Sequence, residues 1–445
     1  MNPPKVSVIV PFAHVSDSID ACMDSILGQT LAGLEILCVA ADAEALACAE
    51  SYAGRDARVK VLRAAEGGMA AMMNLAIRSA SGIYVGFVAA GDGIAPTMYE
   101  TLVQFADAHP QADVVKADYV SVADIDGTSY AIHRRRLVGA RANDYGILLN
   151  PRKHAYLFGI DGFCGAGIYR RSFLTRYNLR HREAPDDPFS EHGFGFQTLA
   201  LAQGVTFLPQ IVCCHQEREP VRVIRVQEMR SLCDEYDFIE QRLRIYRGVP
   251  EAVRVPYLRK RYEACAWALR CVEAAARPAI VQKMQEDFAR RIAEERDIDR
   301  MFSPTFCRRR NKELRLLLQD AEAYRAYIEK QLQDISQRQK ALASWAARKP
   351  LMIVGTGTLG EIAQVLLARH GVPAVAFVRS DAADAASFVN GVPVRSFEQI
   401  DALQGMRFLV AVEKNGKAIK ERLQAAGAKA SGIKSFELWR LSWDA

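Results

Sequence analysis

From Lys5 to about Tyr119 short apolar runs alternate with amphipathic stretches. Lys5-Val6-Ser7-Val8-Ile9-Val10 predicts a strand that Pro11 ends. Ile19, Cys22, Met23, Ile26 and Leu27 fall at helical spacing, so one face of that segment is apolar, and Ser16 or Ser18 suits its N-cap. Further strands are predicted at Leu34 to Val39, Val59 to Leu62 and Ile83 to Val88, with helical text between them. Strands alternating with helices imply a mostly parallel sheet covered on both faces, with ligands at the carboxyl ends of its strands.

The stretch from Ala131 to Arg218 is less regular and richer in Gly, Arg and His. It predicts helices near Arg171 to Tyr177 and Phe196 to Ala202, and a strand at Val205 to Leu208. From Val221 to Trp345 helix follows helix, broken at Gly248-Val249-Pro250 and near Ser303-Pro304. Leu314, Ala321, Ile328, Ile335 and Leu342 recur every seven residues, while the companion position fails at Gln331 and Arg338. A long helix packed on its own protein and a dimerising coiled coil both fit that text. After Lys349-Pro350 a strand, Leu351 to Val354, runs straight into Gly355-Thr356-Gly357-Thr358-Leu359-Gly360 and a helix to His370. Strands at Val375 to Val378 and Phe408 to Val412 complete a small Rossmann-like unit. Three parts are therefore expected: an α/β domain over 1–220, a helical region over 221–348 and a second α/β domain over 349–445.

At 445 residues the chain is long enough for two or three cores. With 50% hydrophobic and 25% charged residues it has the balance of a soluble globular protein, and no apolar run reaches the roughly 20 residues of a membrane span. Met1-Asn2-Pro3-Pro4-Lys5 leads into a strand and not into a signal peptide, so a cytoplasmic location is expected. The ten cysteines lie mostly in apolar stretches with no C-x-x-C pair, which argues for reduced thiols and against disulfides or structural zinc. A net charge of +6 permits an acidic ligand such as a nucleotide diphosphate, or peripheral contact with an anionic inner-membrane face. The text carries no nucleic-acid-binding module.

The N-terminal pattern resembles the family-2 glycosyltransferases, which fold as a GT-A domain, a Rossmann-like, mostly parallel sheet built to bind a nucleotide-diphospho-sugar. Val6 to Pro11 resembles the family's opening strand, and Cys22 to Thr30 its first helix. Gly67-Gly68 with Asn74 resembles its glycine-pair loop, and Gly82 to Val88 the strand leading to its metal site. Tyr169 to Leu174 and Glu191 to Phe196 extend the likeness to about residue 218. The resemblance implies an inverting transfer from a nucleotide-sugar donor to a bacterial surface glycan or protein acceptor.

The resemblance also shows what is missing. The paired aspartates that hold base and ribose read Ala40-Ala41, with Asp42 one step later. The Asp-x-Asp motif reads Ala89-Ala90-Gly91, leaving Asp92, and the Arg and Asn of two further donor contacts read Met73 and His14. A departing nucleoside diphosphate must have its charge neutralised, usually by a cation on hard oxygen ligands. Asp92 with His215 could hold Mg²⁺ or Mn²⁺; alternatively arginines carry the phosphate, with Arg134, Arg135, Arg136 and Arg170 as candidates. The His133 to Arg136 run also reads as a solvated basic loop. Pro11, His14, Asp42, Gly67, Gly68, Asn74 and Arg170 are the expected donor residues. Glu191 stands where the family places its acidic base, and it also suits a helix start. Asp186 and Asp187 are upstream acids that suit a turn.

In the last segment Gly355, Gly357 and Gly360 could cradle a phosphate, or could serve only tight strand-to-helix packing. Arg379 stands where an acid would take a ribose hydroxyl, which argues against NAD and leaves either a 2′-phosphate or no dinucleotide. Two functions remain open: an active glycosyltransferase, or a GT-A pseudoenzyme that binds a nucleotide or sugar and serves as an assembly scaffold, with the helical region as a homodimer contact.

Overall fold

The computed structural model describes all residues except 1–2, 14–17, 65–67, 135, 138, 185–188, 217–223, 293–294, 302–307, 380–387, 400–404 and 439–445. The chain divides into two compact units. The first comprises Met1–Tyr119, Arg135–Gln216 and Val221–Tyr324; the second comprises Val120–Arg134, Glu217–Pro220 and Arg325–Ala445.

The opening half alternates as its apolar spacing predicts: β1 (Val6–Phe12), α1 (Ile19–Leu27), β2 (Leu34–Ala40), α2 (Ala43–Ala53), β3 (Val59–Arg63), α3 (Met69–Ser79) and β4 (Tyr84–Phe87). Then come β5 (Gly93–Ile94), α4 (Met98–Ala108), β6 (Val114–Ile125), β7 (Thr128–Arg134), β8 (Gly167–Arg170), α5 (Arg171–Arg176), α6 (Ser190–Leu201) and β9 (Val205–Gln216). Six helices follow: α7 (Val226–Leu243), α8 (Val249–Cys271), α9 (Arg277–Arg291), α10 (Glu295–Met301), α11 (Arg308–Gln319) and α12 (Ala321–Ala346). The last part holds β10 (Leu351–Val354), α13 (Thr358–Ala368), β11 (Ala374–Arg379), β12 (Phe388–Val389), β13 (Val392–Ser396), β14 (Arg407–Val410), α14 (Gly416–Ala425) and β15 (Ile433–Ser435).

In the first unit the sheet order is β3-β2-β1-β4-β8-β6-β9-β5. Strands β1 to β4 run parallel, and β8 joins antiparallel to both β4 and β6. Every residue of β1 and β2 is buried, as strands covered on both faces require. Pro11 lies inside β1 and does not end it. The strand's pairing with β4 stops at Ile9, while that with β2 continues through Pro11 to Phe12, so the missing N–H leaves no ladder bond unmade. Helix α1 buries Ile19, Cys22, Met23 and Ile26, the face its spacing marked out. Helix α6 begins at Ser190, earlier than its apolar text suggests. The seven-residue repeat does not lie on one helix: Asp320 takes the Ala323 N–H at 2.9 Å and starts α12 afresh, leaving Leu314 on α11.

A buried carboxylate ties the amino-terminal edge of this sheet together. Glu35, 3% exposed, accepts from Ser7, from the Ser81 N–H at 2.9 Å and hydroxyl at 2.8 Å, and from Lys60 at 2.6 Å. Burial pushes its carboxyl up, but the bonds from Lys60, Ser7 and Ser81 together outweigh burial and hold it below the usual value.

In the second unit the order is β12-β13-β11-β10-β14-β15, with β12 alone antiparallel. The end of β6 and β7 form a hairpin here, turned by Asp126 and Gly127 at φ 49° and 76°, the left-handed pair that a two-residue turn demands. Helix α13 and the β12–β13 turn hold that hairpin. Asn390 gives its amide N–H to the Ala131 carbonyl at 3.1 Å and takes the Ala131 N–H at 2.9 Å. Glu361 takes the His133 N–H at 2.8 Å and pairs with its ring. Among the described residues no helix is long and apolar enough to cross a membrane.

Replacing Glu35 by Ala leaves Ser7, Ser81 and Lys60 without their acceptor, and should cost on the order of 3 kcal/mol in urea unfolding. Because the folded carboxyl lies below its unfolded value of 4.5, its contribution is complete above that value and fades as pH falls through the folded one. Stability should therefore fall less on acidification in Glu35→Ala than in the wild type.

Candidate active site

Strand register creates the first half of the site. Gly93 and Ile94 of β5 pair with Cys214 and Cys213 of β9, which brings Asp92 opposite His215. Both Asp92 oxygens lie 3.0 Å from His215 Nδ1, and one also takes the Gln216 N–H at 3.1 Å. Asp92 is 2% exposed, and the His215 ring lies on Phe163 at 4.3 Å between centroids. The backbone enters this corner through Gly91 at φ 113°, a conformation that favours glycine where the family has a carboxylate.

The second half is the first turn of α6. Half-buried Glu191 lies there, with the Cys164 N–H 3.5 Å from its carboxylate. Burial pushes its carboxyl above the usual value of 4.5; His215, the Cys164 N–H and Lys116 draw it back, and Asp92 pushes it further up. The expected base and the expected metal ligands are thus within electrostatic reach of one another.

Beneath Glu191 a loop is gripped by two cations, Lys116, which no sequence motif marks, and Arg136, expected on a phosphate or in solvent. Lys116, on β6, donates to the carbonyls of Phe163, Cys164 and Gly165 at 2.9, 2.8 and 3.1 Å. Arg136, 4% exposed, donates to Ala117 and Gly165 carbonyls at 3.1 and 3.2 Å and pairs with Asp161. Arg136 is therefore neither a solvated loop residue nor a phosphate ligand; it is a core cation. A lysine inside the apolar run Val114-Val115-Lys116-Ala117 was the signal available for this grip.

The other expected donor residues are put to different uses. Asp42 caps α2 by taking the Ala45 N–H at 2.7 Å. Asn74 is buried and binds the Glu183 carboxylate and both backbone groups of His181, stitching α3 to the chain ahead of α6. Arg170 pairs with Tyr84 at the start of β4, away from the strands' carboxyl ends, and bonds the carbonyls of Pro110 and Ala112. Pro11 lies in β1, and Gly68 precedes α3 as its N-cap. Arg134 binds Ser121 within the second unit's hairpin. His14, Gly67, Arg135, Asp186 and Asp187 lie outside the described residues.

Residues 7–177 match glycosyl transferase family 2. That stretch is a family-2 glycosyltransferase domain. Among curated relatives the chain is 32% identical over 202 residues to the uncharacterized glycosyltransferase EpsJ of Bacillus subtilis, covering 43% of this chain and 56% of EpsJ. It is 38% identical over 187 residues to the uncharacterized glycosyltransferase YibD of Escherichia coli, covering 40% of this chain and 51% of YibD. The chain thus spans about half the length of these relatives. The fold is similar to that of S. aureus TarS 1–349, with a TM-score of 0.53 at 16% identity over 75% of this chain and 91% of that one. The same fragment crystallised with UDP gives 0.50 at 17% identity, with the same shares covered. The transferase domain is of GT-A type.

Among the described residues no three His, Cys, Asp or Glu side chains converge as a metal cage. A hard cation bound mainly by diphosphate oxygens and water needs only one or two protein ligands; Asp92 offers hard oxygens, and His215, its Nδ1 engaged by Asp92, keeps Nε2 as a donor atom. In the second unit Gly355, at φ 115°, would bring a Cβ within 2.3 Å of the Ala411 carbonyl, and Gly360 within 2.0 Å of the Gly355 carbonyl. Close packing accounts for both. Gly357 is open and caps α13, while Arg379 ends β11 opposite Ser396.

Helix α6 is seated by Gly193, where a Cβ would meet the Glu235 carboxylate at 1.5 Å. Glu235 is wholly buried and held by Arg182 at 3.0 Å, so it has little room to yield. Gly193→Ala should cost roughly 1–3 kcal/mol through overpacking. Thermal melting of the full chain checks this against Gly159→Ala, where the added methyl meets open space and the melting temperature should hold.

Proposed function

We propose that the chain is an inverting, nucleotide-sugar-dependent glycosyltransferase acting on a bacterial surface glycan or protein acceptor, at the cytoplasmic side. The observation that carries this reading is the convergence of Glu191 with the Asp92–His215 pair in a family-2 domain. Glu191 is the base: it takes the acceptor hydroxyl's proton as that oxygen attacks the anomeric carbon opposite the leaving diphosphate. The Cys164 N–H and the charge of Lys116 keep its carboxylate oriented and available. Asp92 and His215 would hold Mg²⁺ or Mn²⁺, which neutralises the leaving group's charge when bound. The UDP complex of TarS and the glycosyltransferase relatives support a nucleotide-sugar donor.

A second reading, donor binding without turnover, draws on the use of Asp42 as a helix cap and on the loss of carboxylates at Ala40, Ala41, Ala89 and Gly91. Thermal-shift titration with UDP-, GDP- and dTDP-sugars, with and without Mn²⁺, separates the outcomes. A shift with at least one donor is expected, and no shift with any would overturn the transferase reading.

Turnover measured as release of the nucleoside diphosphate should fall at least about 100-fold in Glu191→Gln while donor binding persists. Unchanged turnover would remove Glu191 from the mechanism. Because its carboxyl is raised, wild-type turnover should drop as pH falls through a value above 4.5, the protonated base being inactive.

A further inference from the structure

A cavity of about 270 Å³ runs alongside α6, between that helix and strands β6, β8 and β9, with contributions from the 158–163 loop, Tyr236 of α7 and Lys260 of α8. It begins next to the base: His192, the residue after Glu191, lines it, and Gly162 on its wall approaches the Glu191 carbonyl so closely that a Cβ there would lie at 3.6 Å. Its charges are unbalanced. Lys116, Arg136 and Lys260 line it, and Asp161 is the sole carboxylate among the lining residues.

The three cations are not equally spent. Lys116 gives its three N–H groups to three carbonyls, and Arg136 divides its donors between Asp161 and the backbone. Lys260 makes one hydrogen bond, to the Ile160 carbonyl at 3.2 Å, and an ammonium has three donors. Burial, with Arg136 next, pulls the Lys116 amine down to about 7, and burial lowers Lys260 too. Asp161 with Glu191 at Lys116, and Glu263 with Asp161 at Lys260, offset that burial only in part. The remaining wall is mostly apolar, aliphatic at Ile160 and Leu199 and aromatic at Phe158 and Phe196, 4.9 Å apart, and at Tyr169 and Tyr236, which suits the apolar face of a pyranose ring.

We propose that this cavity binds a sugar unit that carries an anionic group, a carboxylate or a phosphate, with Lys260 as its chief partner and Lys116 as the charge behind it. That the unit belongs to the acceptor rests on the transferase reading above; the cavity's preference for an anion does not. The acceptor glycan is then an acidic one, and its charged residue docks beside the base.

Calorimetric titration of the full chain with glucuronate, glucose 1-phosphate and glucose tests this. At least one of the two anionic sugars should bind and glucose should not, and the tighter of the two names the carboxylate or the phosphate as the group. Lys260→Met should weaken that binding about tenfold, and Lys260→Arg should retain it, while UDP affinity stays unchanged in both. Glucose binding as well as the anionic sugars, no binding by either anionic sugar, or full binding in Lys260→Met would overturn the proposal. A wild-type chain that binds the anionic sugar but no nucleotide sugar would sink the transferase reading alone and leave the anion site standing.

Discussion

The geometry around Glu191 depends on two buried cations beneath one loop. Backbone carbonyls are partial negative charges, and the three from Phe163 to Gly165 turn toward the sheet because Lys116 and Arg136 are there to receive them. With those carbonyls turned inward, the Cys164 N–H faces the Glu191 carboxylate, and the Phe163 ring lies against His215. One electrostatic arrangement thus positions Glu191 and supports the ring of His215. Leaving such cations unpaired would cost several kcal/mol each, so the loop has little freedom to reverse.

The two halves of the site have had different fates. Around α6 the parts reinforce each other: the helix is seated through Gly193 on Glu235, its first turn carries Glu191, and the cavity beside it is lined by the same cations that grip the loop. At the carboxyl ends of β2 and β4 the carboxylates expected by family likeness are replaced at Ala40, Ala41, Ala89 and Gly91; Asp42 closes the first turn of α2, and Gly91 has a backbone conformation that a side chain resists. Asp92 and His215 are joined by the short β5–β9 pairing at the end of the sheet.

Legibility in the sequence followed locality. The strands and helices from Val6 to Phe87 were readable because their apolar periods are strong and each is buried as its pattern implies. The β6–β7 hairpin was not read, although Asp126-Gly127 between two β-rich runs is a strong turn signal; the charged residues scattered along both strands masked it. The heptad spacing held for its last four members, which share the long α12, and failed for Leu314, because Asp320, a capping residue, starts a new helix after it. Glu191, Asp92 and His215 were found through family likeness, which marks position. Lys116, Arg136 and Lys260 are assigned by tertiary contacts alone: no local pattern says that a strand lysine will meet a loop nearly fifty residues on.

On the proposed function a nucleoside diphosphate binds at the carboxyl ends of β1 and β4, held through Asp92 and His215, in spite of the lost carboxylates. A crystal structure of the chain with UDP and Mn²⁺ tests it most directly. The account predicts Mn²⁺ bonded to Asp92 and His215 and to the diphosphate, with the acceptor side of the site facing Glu191. A diphosphate bound elsewhere, or a Mn²⁺ that ignores both residues, would contradict it.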